Sequence, residues 1–299
     1  MSGTILITGA TGLIGSALAR HFEAKGYGVI RARRDIDEVV KSGARIDYIV
    51  HTAAMTSSKA FVEQPVETID SVVLLTKKVL EFARERKVKS LVYLSTMEVY
   101  GAPSTDPVTE KDYGYLDSAA VRSSYPEAKR LAENMCVAYA KEYGVSVKIA
   151  RLTQTFGEGV KYDDGRVFAE FARAAIEKRD IVLKTEGRTA RCYCYLGDAV
   201  TAIETILLKG ADGDAYNVAN AATYTTIREM AELVAAANPP VKVVVDTAGV
   251  EKRGFAPEFK MRLSTAKLEA LGWRPEVGLA GMFSRLIADM AGGRRSDDV

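Results

Sequence analysis

The stretch ILITGATGLIG at residues 5–15 decides the fold. Its first residues are apolar or β-branched and predict a strand over 4–7, and the amphipathic LIGSALARHFEAKG that follows predicts a helix over 13–25. Between them stand Gly9, Gly12 and Gly15. A strand that turns sharply, brings its backbone close to a pyrophosphate and passes into a helix packed on the sheet has no room for side chains at those points. An anion held there meets free N–H groups and the positive end of the helix dipole. Gly9, Thr11, Gly12, Leu13, Ile14 and Gly15 are therefore the expected cradle for dinucleotide phosphates.

A second strand, predicted over 28–32, runs into VIRARRDID at residues 29–37. An acidic residue about 20 positions past the glycines holds the ribose 2′-OH of NAD, whereas an arginine there accommodates the 2′-phosphate of NADP. Arg33 and Arg34 stand at that point and Asp35 just after, so NADP is favoured over NAD. The alternative, a solvated pair of arginines with Asp35 reaching the ribose, stays open.

The alternation continues with strands over 46–51, 90–95 and 145–152 and helices over 65–86 and 125–143. The helix over 65–86 carries Val66, Ile69, Val72, Val73, Val79 and Leu80 at helical spacing. Such βαβ units build a doubly wound parallel sheet of the Rossmann type, here a dinucleotide-binding domain over 1–155. Beyond Arg151 the rhythm breaks, with a helix over 167–178 and a strand over 181–183. This predicts a smaller C-terminal, substrate-binding lobe at the carboxyl edge of the sheet, within a mixed segment over 156–292. Pieces at 198–208 and 227–237 are expected to return to the main sheet and its flanking helices, and 293–299 to be a disordered tail.

With 41 basic and 39 acidic residues the 299-residue chain has a formal charge of only +2, which favours neither nucleic acid nor a membrane surface as partner. The start, MSGTILITGA, lacks a secretory pattern, so a cytoplasmic protein is expected. Cys136, Cys192 and Cys194 are too few for a disulfide framework, and His21 and His51 too few for a His-based metal site, so no metal is expected.

Tyr125 and Lys129 lie four residues apart near the start of the helix over 125–143, on one face. A free tyrosine titrates near pH 10, and a neighbouring ammonium favours the phenolate. Tyr125 is then the candidate acid/base for a sugar hydroxyl beside a nicotinamide, and the hydroxyl of Thr96, closing SLVYLST, can hold the same oxygen.

Taken in order, Gly9-x-x-Gly12-x-x-Gly15, His51-Thr-Ala53-Ala54, Ser95-Thr-Met-Glu-Val-Tyr-Gly101 and Tyr125-x-x-x-Lys129 resemble the motifs of extended short-chain dehydrogenases/reductases. The resemblance implies Thr96, Tyr125 and Lys129 as catalytic trio, Lys129 also on the nicotinamide ribose, Ala53 and Ala54 against the cofactor, and a homodimer through the helices over 66–86 and 125–143. Within that family, Thr96 to Gly101, Arg122 to Arg130, and Asp164 to Phe168 with Arg188 to Asp198 resemble UDP-glucuronate decarboxylases and sugar dehydratases. This implies a nucleotide-diphosphate sugar as substrate. Glu98 then faces the sugar as a further catalytic group, with Gln154, Arg166 and Arg191 among the substrate ligands. Arg191 could clamp the diphosphate, bind a substrate carboxylate, or form a structural pair. Met97 stands where 4,6-dehydratases place an acid, which disfavours water loss, and Gln154 and Ser71 stand where many relatives have asparagine.

The expected activity is hydride transfer at sugar C4 in an epimerase-type isomerase. The alternatives are UDP-glucuronate decarboxylation, NADPH-dependent reduction of a keto-sugar, and a cofactor-sensing module without turnover, which the intact trio disfavours.

Overall fold

The computed structural model describes residues 3–247 and 258–297. The first half runs β1 (Thr4–Thr8), α1 (Leu13–Ala24), β2 (Gly28–Arg31), α2 (Asp37–Ser42), β3 (Tyr48–His51), α3 (Ala60–Glu63), α4 (Pro65–Arg86) and β4 (Ser90–Thr96). Short 3-10 turns at Met97–Tyr100 and Val121–Ser123 bracket a long loop, followed by α5 (Ser124–Tyr143) and β5 (Val147–Leu152). Then come β6 (Gln154–Phe156), α6 (Val167–Glu177), β7 (Ile181–Leu183), β8 (Ala190–Tyr195), α7 (Leu196–Lys209) and β9 (Ala215–Val218). The chain closes with β10 (Asn220–Thr226), α8 (Ile227–Ala237), β11 (Val243–Val245), β12 (Lys260–Met261), α9 (Ala266–Ala270) and α10 (Leu279–Asp297).

The main sheet has the order β2-β1-β3-β4-β5-β9 with every pairing parallel. Alternation along β1 sends Ile5 and Ile7 to one face, against Leu18 and Phe22 of α1 and Ile203 and Ile206 of α7. Leu6 goes to the other, with Ile49 and Leu91, against Val72 and Val79 of α4 and Ala128 and Ala132 of α5. Each such Val, Leu, Ile or Phe side chain, fully buried, contributes about 1.5–3 kcal/mol. α4 is bounded as its residues demand, by Pro65 at its first position and by Lys87 in left-handed conformation past its end. Because β2 and β3 lie on opposite sides of β1, the strand order reverses between β1 and β3. Ligands of such sheets bind at that reversal, beyond the carboxyl ends of the strands.

The smaller lobe centres on β8, antiparallel to β10 and parallel to β6 and β12. Phe156, Phe168, Met230, Val234, Met282 and Leu286 form its core between α6, α8 and α10. Two expectations are corrected. α7 and β9 do return to the main sheet, but α8 stays with the smaller lobe because its apolar stripe, Met230, Ala231 and Val234, is matched by α6 and α10. The last helix also continues to Asp297, so most of the expected tail over 293–299 is helical, and residues 298 and 299 lie outside the described residues. No helix among the described residues is long and apolar enough to cross a membrane.

Candidate active site

The turn after β1 is built as the glycines require. Gly9 adopts φ +67°, and a Cβ there would lie 2.6 Å from Thr52 Oγ1 and 2.9 Å from the Ala53 backbone. A Cβ on Gly15 would lie 2.2 Å from the Gly9 carbonyl oxygen. Ala53 is buried and donates its N–H to Thr8 Oγ1 at 3.3 Å, so the segment at the end of β3 forms the wall of the turn, with Ala54 half-buried beside it. Among the described residues no side chain caps α1, and its N-cap is Gly12, leaving the first-turn N–H groups of Leu13 and Ile14 for an anion. The exposed Thr11 lies on the rim. This cradle fits a dinucleotide pyrophosphate.

Gly9 N–H donates to the carbonyl of Arg33 at 2.5 Å and Ala10 N–H to that of Ala32 at 3.0 Å, which stitches the arginine segment to the glycine turn. The side chains of Arg33 and Arg34 are exposed there. Asp35 is differently employed. Its Oδ1 accepts from the backbone N–H of Ile36 at 2.7 Å and Asp37 at 3.1 Å, and from Lys78 Nζ of α4 at 2.7 Å. The Lys78 hydrogen bond, aided by those from Asp37 and Ile36, holds its carboxyl down at about 2.

Thr96 closes β4 at its carboxyl end, and its side chain acts on the Tyr125 phenol there. The Tyr125 ring is buried and stacks on Phe61 of α3, with centroids 4.2 Å apart and planes 7° from parallel. Its phenol is pushed above the ordinary tyrosine value by burial and by Glu98, against opposing pulls from Thr96 and Arg122. The expectation that Lys129 lowers it is not met. The ammonium is buried and donates to the Leu94 carbonyl at 2.7 Å, 5.8 Å from the Tyr125 ring centroid. Burial pulls Lys129 itself down to about 8, opposed by Glu133 and Cys136. In this state Tyr125 is a protonated acid and Lys129 stands behind it. Deeper still, His51 bridges β1 and α4 through Thr8 Oγ1 at 2.7 Å and Thr76 Oγ1 at 3.1 Å. Since the Thr76 hydroxyl donates to the Val72 carbonyl, His51 Nε2–H donates to Thr76 and Nδ1 accepts from Thr8. Burial holds His51 neutral, at about 3.

Glu98 sits two residues past Thr96 and pairs with Arg122 at 2.9 Å, while Arg122 lies over the Phe61 ring at 4.8 Å. Met97 is buried with Val99, Cys192, Met261 and Leu263, an apolar setting that accounts for the absent acid. Ser71 accepts the N–H of Met55 at 3.2 Å and donates to Thr68 O, holding the wall at the end of β3. In the smaller lobe, Arg191 of β8 places Nη1 3.5 Å from Gln154 Oε1 of β6 and its guanidinium 4.6 Å above the Phe259 ring. Its Nε is buried with no hydrogen-bond partner among the described residues. Arg166 is not joined to this group. It precedes α6 on the surface, paired with Asp164 at 2.6 Å and lying over Phe168. Sequence reasoning missed Phe61 altogether, because α3 is a single turn without periodicity, and quoted Arg122 without a role. No group of His, Cys, Asp and Glu among the described residues could hold a metal.

The model of the NAD dependent epimerase/dehydratase family matches residues 5–219. UDP-glucuronic acid decarboxylase 5 of Arabidopsis thaliana is 32% identical over 249 residues, 83% of this chain and 70% of that protein. Among solved structures, an epimerase of Methanothermobacter thermautotrophicus superposes with a TM-score of 0.86 at 24% identity, over 99% of this chain and 94% of that one. The UDP-glucose 4-epimerase of Thermus thermophilus in complex with NAD does so with 0.81 at 25% identity, over 97% and 99%.

Proposed function

Since this chain belongs to the NAD dependent epimerase/dehydratase family, we propose that it exchanges hydride at C4 of a nucleotide-diphosphate sugar and acts as an epimerase-type isomerase. The observation that carries this reading is that Thr96 and the buried Tyr125 stand at the carboxyl edge of the sheet, the edge at which β1 runs into the glycine cradle. The dinucleotide, when bound, supplies the hydride acceptor and donor. Thr96 and Tyr125 grip the C4 oxygen; Tyr125 gives its proton in the reductive direction and takes one in the oxidative direction. Lys129, released from the Leu94 carbonyl, holds the ribose and supplies the positive charge that lets the phenol ionise. The buried Phe61 and Tyr125 rings exclude water from one side. Arg191 takes the diphosphate, with Gln154 beside it.

A second reading, decarboxylation, is favoured by the decarboxylase relative named above and by the buried Arg191 Nε, which suits a carboxylate as well as a phosphate. Incubation with UDP-glucose and with UDP-glucuronic acid separates them. The first reading expects a C4 epimer with no carbon dioxide and no net change in dinucleotide absorbance; carbon dioxide from the uronic acid selects the second, and no conversion of any nucleotide sugar overturns both.

NADP is the proposed dinucleotide, because Asp35 is held by Lys78 while Arg33 and Arg34 stand exposed beside the turn. Replacing both Arg33 and Arg34 with Ala is expected to weaken NADP binding by about 10- to 100-fold, the worth of a charge-assisted hydrogen bond or two, and to leave NAD binding nearly unchanged. Fluorescence titration checks this, and equal losses for both dinucleotides would remove the arginines from the ribose site. A homodimer through α4 and α5 is supported by Val66, Ile69 and Leu74 on one and Leu131 and Val137 on the other, all exposed. The free thiols of Cys136, Cys192 and Cys194 are in keeping with a reducing cytoplasm.

A further inference from the structure

One turn beyond Lys129 on α5 lies a buried ion pair that the reaction scheme above does not use. Arg151 of β5, 2% exposed, brings Nε 3.0 and 3.1 Å from the two carboxylate oxygens of Glu133 and Nη2 2.6 Å from one of them. The rest of the guanidinium is also spoken for. Nη1 donates to the Glu110 carbonyl at 2.9 Å and to Tyr100 Oη at 3.1 Å, and Nη2 to Tyr113 Oη at 2.6 Å. Tyr100 in turn donates to Asn217 Oδ1 at 2.6 Å. A buried ion pair is a poor means of gaining stability, since desolvation offsets most of its attraction. Its use is sought in what it touches: α5, which carries Tyr125 and Lys129, and the 97–100 turn, which carries Glu98.

We propose that Glu133, clamped by Arg151, is a positioning residue that keeps the Lys129 ammonium charged and fixes α5 against the turn bearing Glu98. The surroundings of Lys129 leave this task to Glu133. Tyr93 of β4, whose ring lies 4.6 Å from Nζ, and Cys136 of α5 are both pushed upward by burial and stay neutral. Tyr125 is likewise protonated, and His51 of β3 is neutral and feels the ammonium as a repulsive charge. Glu133 is the group paired as a carboxylate on the same helix face, and its field opposes the burial that would discharge Lys129. Glu133, four residues from Lys129 on one helix, acts on the ammonium as an attractive charge that favours its charged form.

The inference rests on the proposed role of Lys129 in holding the nicotinamide ribose, and the test separates the two. NADPH affinity is measured by fluorescence between pH 6 and 10, with the pH dependence of kcat beside it. In the wild type both fall as pH rises through the Lys129 value of about 8. In Glu133→Gln the midpoint moves to lower pH by about one unit, since an attractive charge is lost and Arg151 is left unopposed. The charge-neutral pair Glu133→Leu with Arg151→Met moves it in the same direction by about half as much, and Glu133→Asp restores it. An unmoved midpoint in a folded Glu133→Gln protein overturns the proposal, as does loss of the fold in the charge-neutral double variant, which would make the pair structural. Lys129→Met binding NADPH as the wild type does would overturn the role of Lys129 itself, and this inference with it.

Discussion

Tyr125→Phe is expected to lower kcat by about 10²- to 10⁴-fold, the usual contribution of a positioned acid/base, while NADP affinity and thermal stability change little. The substitution removes one oxygen. The stack on Phe61, at 4.2 Å, needs only the ring and survives. Losing the phenol oxygen beside Thr96 costs about 1 kcal/mol net, far less than the catalytic loss. The phenol lies above its ordinary value, so it ionises only with the Lys129 ammonium turned toward it, and the alkaline limb of the wild-type profile follows the loss of that charge, near 8. Steady-state kinetics with fluorescence titration give the check, and a variant retaining a tenth or more of wild-type kcat removes Tyr125 from the chemistry.

The glycine turn provides the second large effect, through two substitutions that separate fold from binding. A Cβ at Gly15 meets the Gly9 carbonyl oxygen at 2.2 Å and its carbon at 2.8 Å, both backbone atoms that cannot step aside cheaply. Gly15→Ala should therefore cost about 1–3 kcal/mol of stability and displace the turn, weakening dinucleotide binding about 10- to 100-fold. At Gly12 the nearest atom, Gly9 O, stands at 3.3 Å, so Gly12→Ala leaves the fold nearly intact. It still blocks the approach of a pyrophosphate to the backbone and should lose binding to a similar degree. Thermal melts and NADP titrations of the two variants decide. Gly12→Ala binding as the wild type does would place the phosphates elsewhere.

Much of this was legible because it is local. The period of 3.6 residues, closed by Pro65 at one end and a basic residue at the other, marks α4 at its observed bounds, Pro65–Arg86. The three glycines announce a turn that admits no Cβ, and the four-residue spacing of Tyr125 and Lys129 puts them on one helix face. What was not legible depends on contacts between distant segments. The sequence says that Lys129 is near Tyr125 but not that its ammonium turns to the Leu94 carbonyl, since that depends on how deeply α5 sinks against β4. The sequence leaves Asp35 open as a ribose ligand beside the two arginines and does not show that Lys78, 43 residues on, pairs with it. α8 has the stripe of any amphipathic helix, and only the matching faces of α6 and α10 decide which core receives it. Arg166 carries the same charge as Arg191, yet Asp164 two residues away captures it on the surface.

A crystal structure of the protein with NADP and a UDP-sugar together decides whether Thr96 and Tyr125 hold the sugar beside the dinucleotide. The pyrophosphate is expected on the N–H groups of residues 11–14 and the sugar C4 oxygen within hydrogen-bond reach, about 2.6–3.2 Å, of both Tyr125 Oη and Thr96 Oγ1. A sugar seated away from these hydroxyls, or a dinucleotide whose phosphates lie off the glycine turn, would contradict this placement.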